Sequence, residues 1–304
     1  MAKEYSREVE WPTVGLIAAV YGVLALAVWN HAVLPWWVIL PVGAYCAALH
    51  ASLQHEVLHG HPTGHRFLNE AMVFVTPTMW LPFALYRKSH LIHHNDQNLT
   101  DPRHDPESYY LLPEDWAGVT GVRRVLFEIN QTLAGRMLVG PAISIVRVWV
   151  SEWKAIAAGD TEKLKGWVWF GIACAITLWL VVGIARMPLW QYYVLIAYPG
   201  LSLALVRSFC EHQAAAQVEH RTIIVEASPF WGLLFLHNNL HVAHHSRPAL
   251  AWYKIPAFYR AERERLIAQN NGYTMKGYGE IFARYFLKAK EPVAYPDTSW
   301  LRKS

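Results

Sequence analysis

Four segments of this 304-residue chain contain no charged residue, and each approaches the roughly 20 residues that cross the hydrocarbon core of a membrane. They cover residues 11–29, 33–54, 166–185 and 187–206. Charged residues make up only 16% of the chain, whereas a soluble domain carries about 25%. A buried helix of a soluble protein normally keeps a polar stripe, and none of these segments has a charged one. The sequence therefore predicts four transmembrane helices.

The basic residues indicate how these segments cross the membrane. Of the 27 lysines and arginines, 26 lie before the first segment, between the second and third, or after the fourth. Only Arg186 falls in a connection on the opposite side. Arg66, Lys163 and Arg207 are close enough to segment ends for the positive-inside rule to apply. We therefore expect an integral, multi-pass protein of the inner (cytoplasmic) membrane with both termini on the cytoplasmic side.

The predicted fold class is an all-α polytopic membrane protein that forms one domain over residues 1–304. Residues 55–165 and 207–304 are expected to form a helical cytoplasmic cap. Residues 71–85 are also uncharged, but they are fewer and contain two prolines, so we expect a re-entrant segment and not a crossing. The mixed apolar and charged pattern of 121–152 predicts an amphipathic helix near the membrane surface.

Three histidine clusters lie at the edges of the predicted cap. They read HEVLH at 55–59, HLIHH at 90–94 and HVAHH at 241–245. Histidines three or four positions apart share one face of a helix, so each cluster presents its imidazoles together. Buried imidazole nitrogens need partners, and imidazole is a ligand for zinc, copper, iron and nickel. The clusters contain more histidines than one ion requires, so the sequence predicts a two-metal site.

Two other classes of protein also carry clustered histidines. A metal transporter needs ionisable ligands within the membrane, whereas these clusters lie at the ends of the predicted spans. A pH or redox sensor also uses histidine, but it does not require the same helical spacing three times. Such a sensor would consume no O2 with any reductant.

The order and spacing of the three clusters, after the second and fourth spans, resemble the membrane-bound fatty acid desaturase and hydroxylase superfamily. The resemblance implies a non-haem di-iron centre, with two Fe ions, that uses O2 as co-substrate to oxidise unactivated C–H bonds. It also implies a ninth histidine at the end of the fourth span, where this chain has Glu211-His212. The implied metal ligands are His55, His59, His90, His93, His94, His212, His241, His244 and His245.

Seven further residues near the clusters are candidates for extra ligands or for partners that orient the ligands. The two histidines are alternative ligands, the two asparagines can hold an iron-bound water, and the three carboxylates can bind the second nitrogen of a ligand ring. They are His61, His237, Asn238, Asn239, Glu56, Asp101 and Asp105.

The resemblance predicts desaturation of fatty acyl chains, with a membrane lipid or a carrier-linked acyl chain as substrate. The alternative is a lipid or carotenoid hydroxylase or ketolase of the same superfamily. The sequence contains no haem-attachment motif, cysteine cluster or dinucleotide-binding loop, so a separate donor of ferredoxin, rubredoxin or cytochrome type must supply electrons. A basic set in the C-terminal tail is one candidate dock for the donor: Arg260, Arg263, Arg265, Lys288 and Lys290. No basic run or aromatic platform indicates nucleic-acid binding.

Overall fold

The computed structural model describes residues 8–94 and 96–296, and the fold is mostly helical, at 65%. The predicted domain of residues 1–304 thus includes positions outside the described ranges. Two short strands, β1 (Ile224–Val225) and β2 (Thr274–Met275), pair in parallel. The helices are α1 Trp11–Trp29, α2 Trp36–Leu58, α3 Arg66–Met72, α4 Phe83–His93, α5 Pro113–Ala117, α6 Gly121–Ile129, α7 Leu133–Leu138, α8 Gly140–Ala157, α9 Thr161–Leu178, α10 Leu189–Tyr192, α11 Tyr198–Ser208, α12 Pro229–Leu234, α13 His241–Ser246, α14 Ile255–Gln269 and α15 Tyr278–Tyr285.

Within the described residues, four helical stretches are long and apolar enough to cross a membrane, which confirms the predicted all-α fold class with four spans. The third and fourth continue through π-helical turns, and the four run Trp11–Trp29, Trp36–Leu58, Thr161–Ile184 and Leu189–Ser208. The second begins later than predicted because Pro35 precedes its first turn. It also ends later, so His55 lies within its last turn and not beyond it.

Tryptophans mark both ends of these spans. Six tryptophans in the spans are at least 62% exposed, and Trp11 is the most exposed of them at 72%. Large apolar side chains at that exposure fit the boundary between headgroups and hydrocarbon, where tryptophan is favoured. Trp167 differs, since it is buried against the rings of Trp149 and Trp153 on α8.

The second and fourth spans pack in direct contact because glycines remove side chains at their crossing. A Cβ added to Gly200 would lie 2.4 Å from the Cβ of Ala47, and one added to Gly43 would lie 2.5 Å from Cγ1 of Ile196. Small residues allow this kind of close backbone approach between spans. The contact fixes the end of α2, which carries His55, beside the end of α11, which is followed by the segment that contains His212.

Residues 73–82 form an irregular loop that reaches in among the spans, as expected for a re-entrant segment. Its backbone carbonyls accept hydrogen bonds from side chains of three different spans. The pairs are Tyr21 Oη to Val75 O at 2.7 Å, Thr177 Oγ1 to Thr76 O at 3.2 Å and Tyr192 Oη to Pro77 O at 2.8 Å. Non-helical backbone is tolerated at membrane depth when the protein satisfies its polar groups in this way.

The prediction of one amphipathic helix over 121–152 is wrong. Three helices, α6, α7 and α8, cover this region. The chain turns sharply before α7, where Thr132 caps the helix by accepting from Gly135 N. Pro141 then starts α8, since proline fits the first turn of a helix but not its interior.

Candidate functional site: two groups of histidines

Helix ends bring the three histidine clusters together. His55 lies in the last turn of α2, and His59 follows as the C-terminal cap. The helix α4 ends within the second cluster, and α13 begins with the third. His212 comes from the segment after α11, where an isolated bridge to Thr222 holds its backbone.

The nine histidines form two groups, and in each group the candidate ligand atoms lie within 4.8 Å of one another. The five-histidine group contains His55, His59, His90, His94 and His244. The four-histidine group contains His93, His212, His241 and His245. The groups are neighbours, since the rings of His94 and His245 have centroids 4.5 Å apart.

The spacing of the ring nitrogens fits metal coordination. In the five-histidine group, Nε2 of His90 lies 2.9 Å from Nε2 of both His55 and His94. In the other group, Nε2 of His212 lies 3.0 Å from Nε2 of both His93 and His241. An imidazole nitrogen has one proton or one lone pair, so it cannot form two aligned hydrogen bonds. A metal with bonds of about 2.1 Å holds adjacent ligand nitrogens about 3.0 to 3.4 Å apart, which matches these distances.

Hydrogen bonds at the opposite ring nitrogen orient several of these histidines. Nδ1 of His93 lies 2.9 Å from Oδ1 of Asp105, and Nδ1 of His90 lies 3.1 Å from Oε1 of Glu107. Nδ1 of His241 lies 2.9 Å from the side-chain oxygen of Asn238. A donating Nδ1–H leaves the lone pair on Nε2, which is the tautomer that binds a metal.

Sequence reasoning missed Glu107, and a turn explains its position. Asp105 Oδ1 accepts a hydrogen bond from Glu107 N at 2.9 Å, a pattern typical of an Asx turn. The turn therefore presents two carboxylates to two histidines of α4. The dipeptide Asp105-Pro106 indicated a turn, but the spacing of Glu107 from the histidines gave no signal. Asp105 thus shapes the loop and also contacts a proposed ligand.

Two other predicted carboxylates contact different partners. Asp101 lies 2.8 Å from Nδ1 of His104, which belongs to neither histidine group. Glu56 accepts from the backbone N–H of Trp252 at 2.8 Å. It points away from the ligand face because adjacent helix positions lie about 100° apart.

The remaining candidates lie at the edge of the site. A third group of close ligand atoms contains His61, Glu56 and Glu10. In this group, Oε1 of Glu10 lies 2.8 Å from Nδ1 of His61, and this contact holds the start of α1 against the end of α2. His237 stacks on the ring of Trp252 and belongs to no ligand group among the described residues. Asn239 donates to Val225 O, whereas Nδ2 of Asn238 lies 3.4 Å from Nε2 of His55.

Burial favours the neutral, metal-binding form of most of these rings. Removal from water is the main cause that lowers the pKa of the cap histidines His90, His94, His212, His241 and His244. His93 differs: burial lowers its pKa, but the carboxylates of Glu107 and Asp105 outweigh burial and raise it to about 9. Those carboxylates therefore stabilise positive charge on His93, which is a member of the four-histidine group.

A central cavity of about 470 Å³ opens against the four-histidine group, with His93 and His212 in its wall. The volume lies in the usual range of small-molecule sites, about 300 to 1,000 Å³. Much of the wall is apolar, and its apolar side chains come from α4, α8, α11 and the re-entrant loop. They include Leu81, Leu85, Ile143, Val148, Leu201 and Leu205. The arrangement joins a candidate metal centre to a space for an apolar chain.

The family model described as fatty acid desaturase matches residues 29–277, which include both histidine groups. The chain belongs to this family, which is the membrane fatty acid desaturase and hydroxylase superfamily. The protein is thus a multi-pass membrane oxidoreductase of the desaturase and hydroxylase type. A search of curated proteins finds no significant match to the chain.

Replacing Asp105 with asparagine should weaken metal binding by roughly tenfold or more, the usual effect of losing a partner behind a ligand histidine. The asparagine oxygen can keep the hydrogen bond from Glu107 N, but the substitution removes the charge beside His93 and the second oxygen, which accepts from Thr100 N. Iron content across a series of free Fe²⁺ concentrations measures the change. Asp101→Asn is the matched control and should leave affinity unchanged; equal affinity in both variants and the unaltered protein would contradict the assignment.

Proposed function

We propose that this protein is an O2-dependent di-iron oxidoreductase that desaturates fatty acyl chains in lipid metabolism. The observation that carries the proposal is the pair of adjacent histidine groups beside a cavity with a largely apolar wall. Removing hydrogen from a saturated carbon is beyond side-chain acid–base chemistry, so the oxidant must come from O2 at a metal.

The nine histidines divide the proposed ligands between two ions. The five-histidine group would hold one iron and the four-histidine group the other, with Asp105, Glu107 and Asn238 orienting rings from behind. When bound, the iron pair supplies activation of O2 and the oxidising power for C–H cleavage. The protein supplies fixed ligand geometry and a cavity that excludes bulk water from the alkyl chain.

The electron balance requires a separate reductant. Desaturation removes two hydrogen atoms from adjacent carbons, and together with two electrons and two protons they reduce one O2 to two waters. We infer a ferredoxin, rubredoxin or cytochrome-type donor because the sequence carries no redox motif of its own. Lys290, expected in the dock for this donor, has a side chain that is only 8% exposed: it donates to His212 O and pairs with Glu291.

We also infer that the histidine groups and both termini face the cytoplasm, as the positive-inside rule indicates. Single-cysteine proteins, with Cys46, Cys174 and Cys210 replaced, test this orientation. A membrane-impermeant maleimide should label Arg186→Cys in intact cells and Glu264→Cys only after permeabilisation. The opposite labelling pattern would reverse the proposed orientation.

Mass spectrometry of lipids from a host that expresses the chain with a compatible electron donor tests the proposed reaction. We expect acyl chains that have lost two hydrogens, and their absence with the His93→Ala, His94→Ala protein, because this protein lacks one ligand of each group. His65→Ala is the matched control, since His65 is exposed and outside both groups.

Chains that gain oxygen and lose no hydrogen would assign the protein as a hydroxylase. A ketolase would add oxygen and remove two hydrogens at the same carbon. No histidine-dependent change in acyl lipids would contradict the proposed substrate and redirect the search to carotenoids and other apolar molecules.

A further inference from the structure

The carboxylates in the wall of the central cavity all have a cationic or imidazole partner. Five acidic residues line the cavity, and each lies within ion-pair distance of its own partner. The pairs are Asp105 with His93, Glu107 with His90, Glu152 with Lys163, Glu211 with Arg207 and Glu291 with Lys290. These partners do not include the other two arginines of the cavity wall, Arg136 and Arg147.

Arg136 and Arg147 are the two arginines of this wall that have no carboxylate partner among the described residues. Arg136 is 2% exposed, and its Nε donates to the backbone and side-chain oxygens of Asn130 at 3.2 and 3.1 Å. Its guanidinium lies 3.9 Å from the ring centroid of Tyr109, and its Nη1 has no hydrogen-bond partner. Arg136 is therefore a buried cation with one donor nitrogen unused, and it lines the same cavity as Arg147.

Arg147 faces the cavity from α8. The residue is exposed, so the cavity is open to solvent at this position, and the nearby protein lowers the pKa of its guanidinium. Burial also lowers the pKa of Arg136, and the charge of Arg147 contributes to that shift. Two like charges in the wall of one cavity, one of them buried, are stabilised by an anion between them.

We propose that Arg136 and Arg147 bind the anionic headgroup, a carboxylate or a phosphate, of an alkyl-chain substrate in the central cavity. Arginine suits this role because its planar donors match both anions. The apolar part of the wall would take the alkyl chain. The inference rests on the proposed function, because it places the headgroup in the cavity that adjoins the four-histidine group. It names the substrate class as an anionic amphiphile.

Binding of matched alkyl ligands to the purified, metal-loaded full chain tests this site. Dodecanoic acid, dodecyl phosphate and dodecanol share one chain and differ in headgroup. Titrations at about pH 8, where the carboxylate is ionised, follow tryptophan fluorescence, since Trp80 lines the cavity. We expect both anions to bind more tightly than the alcohol. Tighter binding of the acid or of the phosphate identifies the headgroup.

Arg147→Gln should weaken binding of the anions roughly tenfold or more, as expected for a lost hydrogen bond to a charged group, and leave dodecanol unchanged. Arg147→Lys should restore most of the anion affinity because it keeps the charge. Arg66→Gln is the matched control, since Arg66 is exposed, pairs with Glu70 and lies outside the cavity wall.

Equal affinity for the acid and the alcohol, or an equal loss of both in Arg147→Gln, would overturn the proposed headgroup site. If the protein still forms an oxidised alkyl product when O2 and an electron donor are supplied, the proposed function stands without this site. Conversely, Arg147-dependent binding of the anions without any oxidised product would support the site and reject the proposed function.

Discussion

The need of buried imidazole nitrogens for a partner is the constraint on which this structure depends. Nine histidines from distant parts of the chain lie in two groups of close ligand atoms. A buried polar group without a partner costs about 1 to 3 kcal/mol, so nine of them would cost more than the roughly 5 to 15 kcal/mol that stabilises a typical domain. Contacts between the rings satisfy only part of this need, because one Nε2 cannot serve two neighbours. One metal ion in each group would accept the remaining lone pairs.

The membrane-spanning part of the fold holds the helix ends that carry these histidines. Gly43 and Gly200 allow the second and fourth spans to approach closely, which fixes His55 relative to His212. The re-entrant loop fills the space among the spans, and side chains of the spans satisfy its carbonyls. The same packing leaves a cavity beside the four-histidine group. Scaffold, metal centre and substrate space are therefore consequences of one arrangement of helices.

Much of the fold could be predicted from the sequence because it depends on local composition. Uncharged segments of spanning length identified the four helices, and two prolines identified the loop at 73–82. The division of the histidines between two groups could not be predicted, since it depends on how helices meet. His90 and His94 are four residues apart and share a group, whereas His93 between them joins the other. Spacing along a helix gives a shared face, but the partner across that face comes from another helix.

The contacts behind the ligands were the least predictable part of the site. Asp101 and Asp105 precede prolines in the same loop, yet only Asp105 contacts a histidine of the two groups. Glu107 reaches His90 through a turn whose geometry the sequence did not specify. The positions of Arg136 and Arg147 in the cavity wall could not be predicted either, because these residues lie on two helices, α7 and α8, where the sequence predicted one.

Mössbauer spectroscopy of the protein loaded with isotopically enriched iron tests the central claim most directly. Five histidines in one group and four in the other predict two irons per chain in different coordination environments, which give two quadrupole doublets of about equal area. One iron per chain would contradict the assignment of the histidines to a two-metal centre.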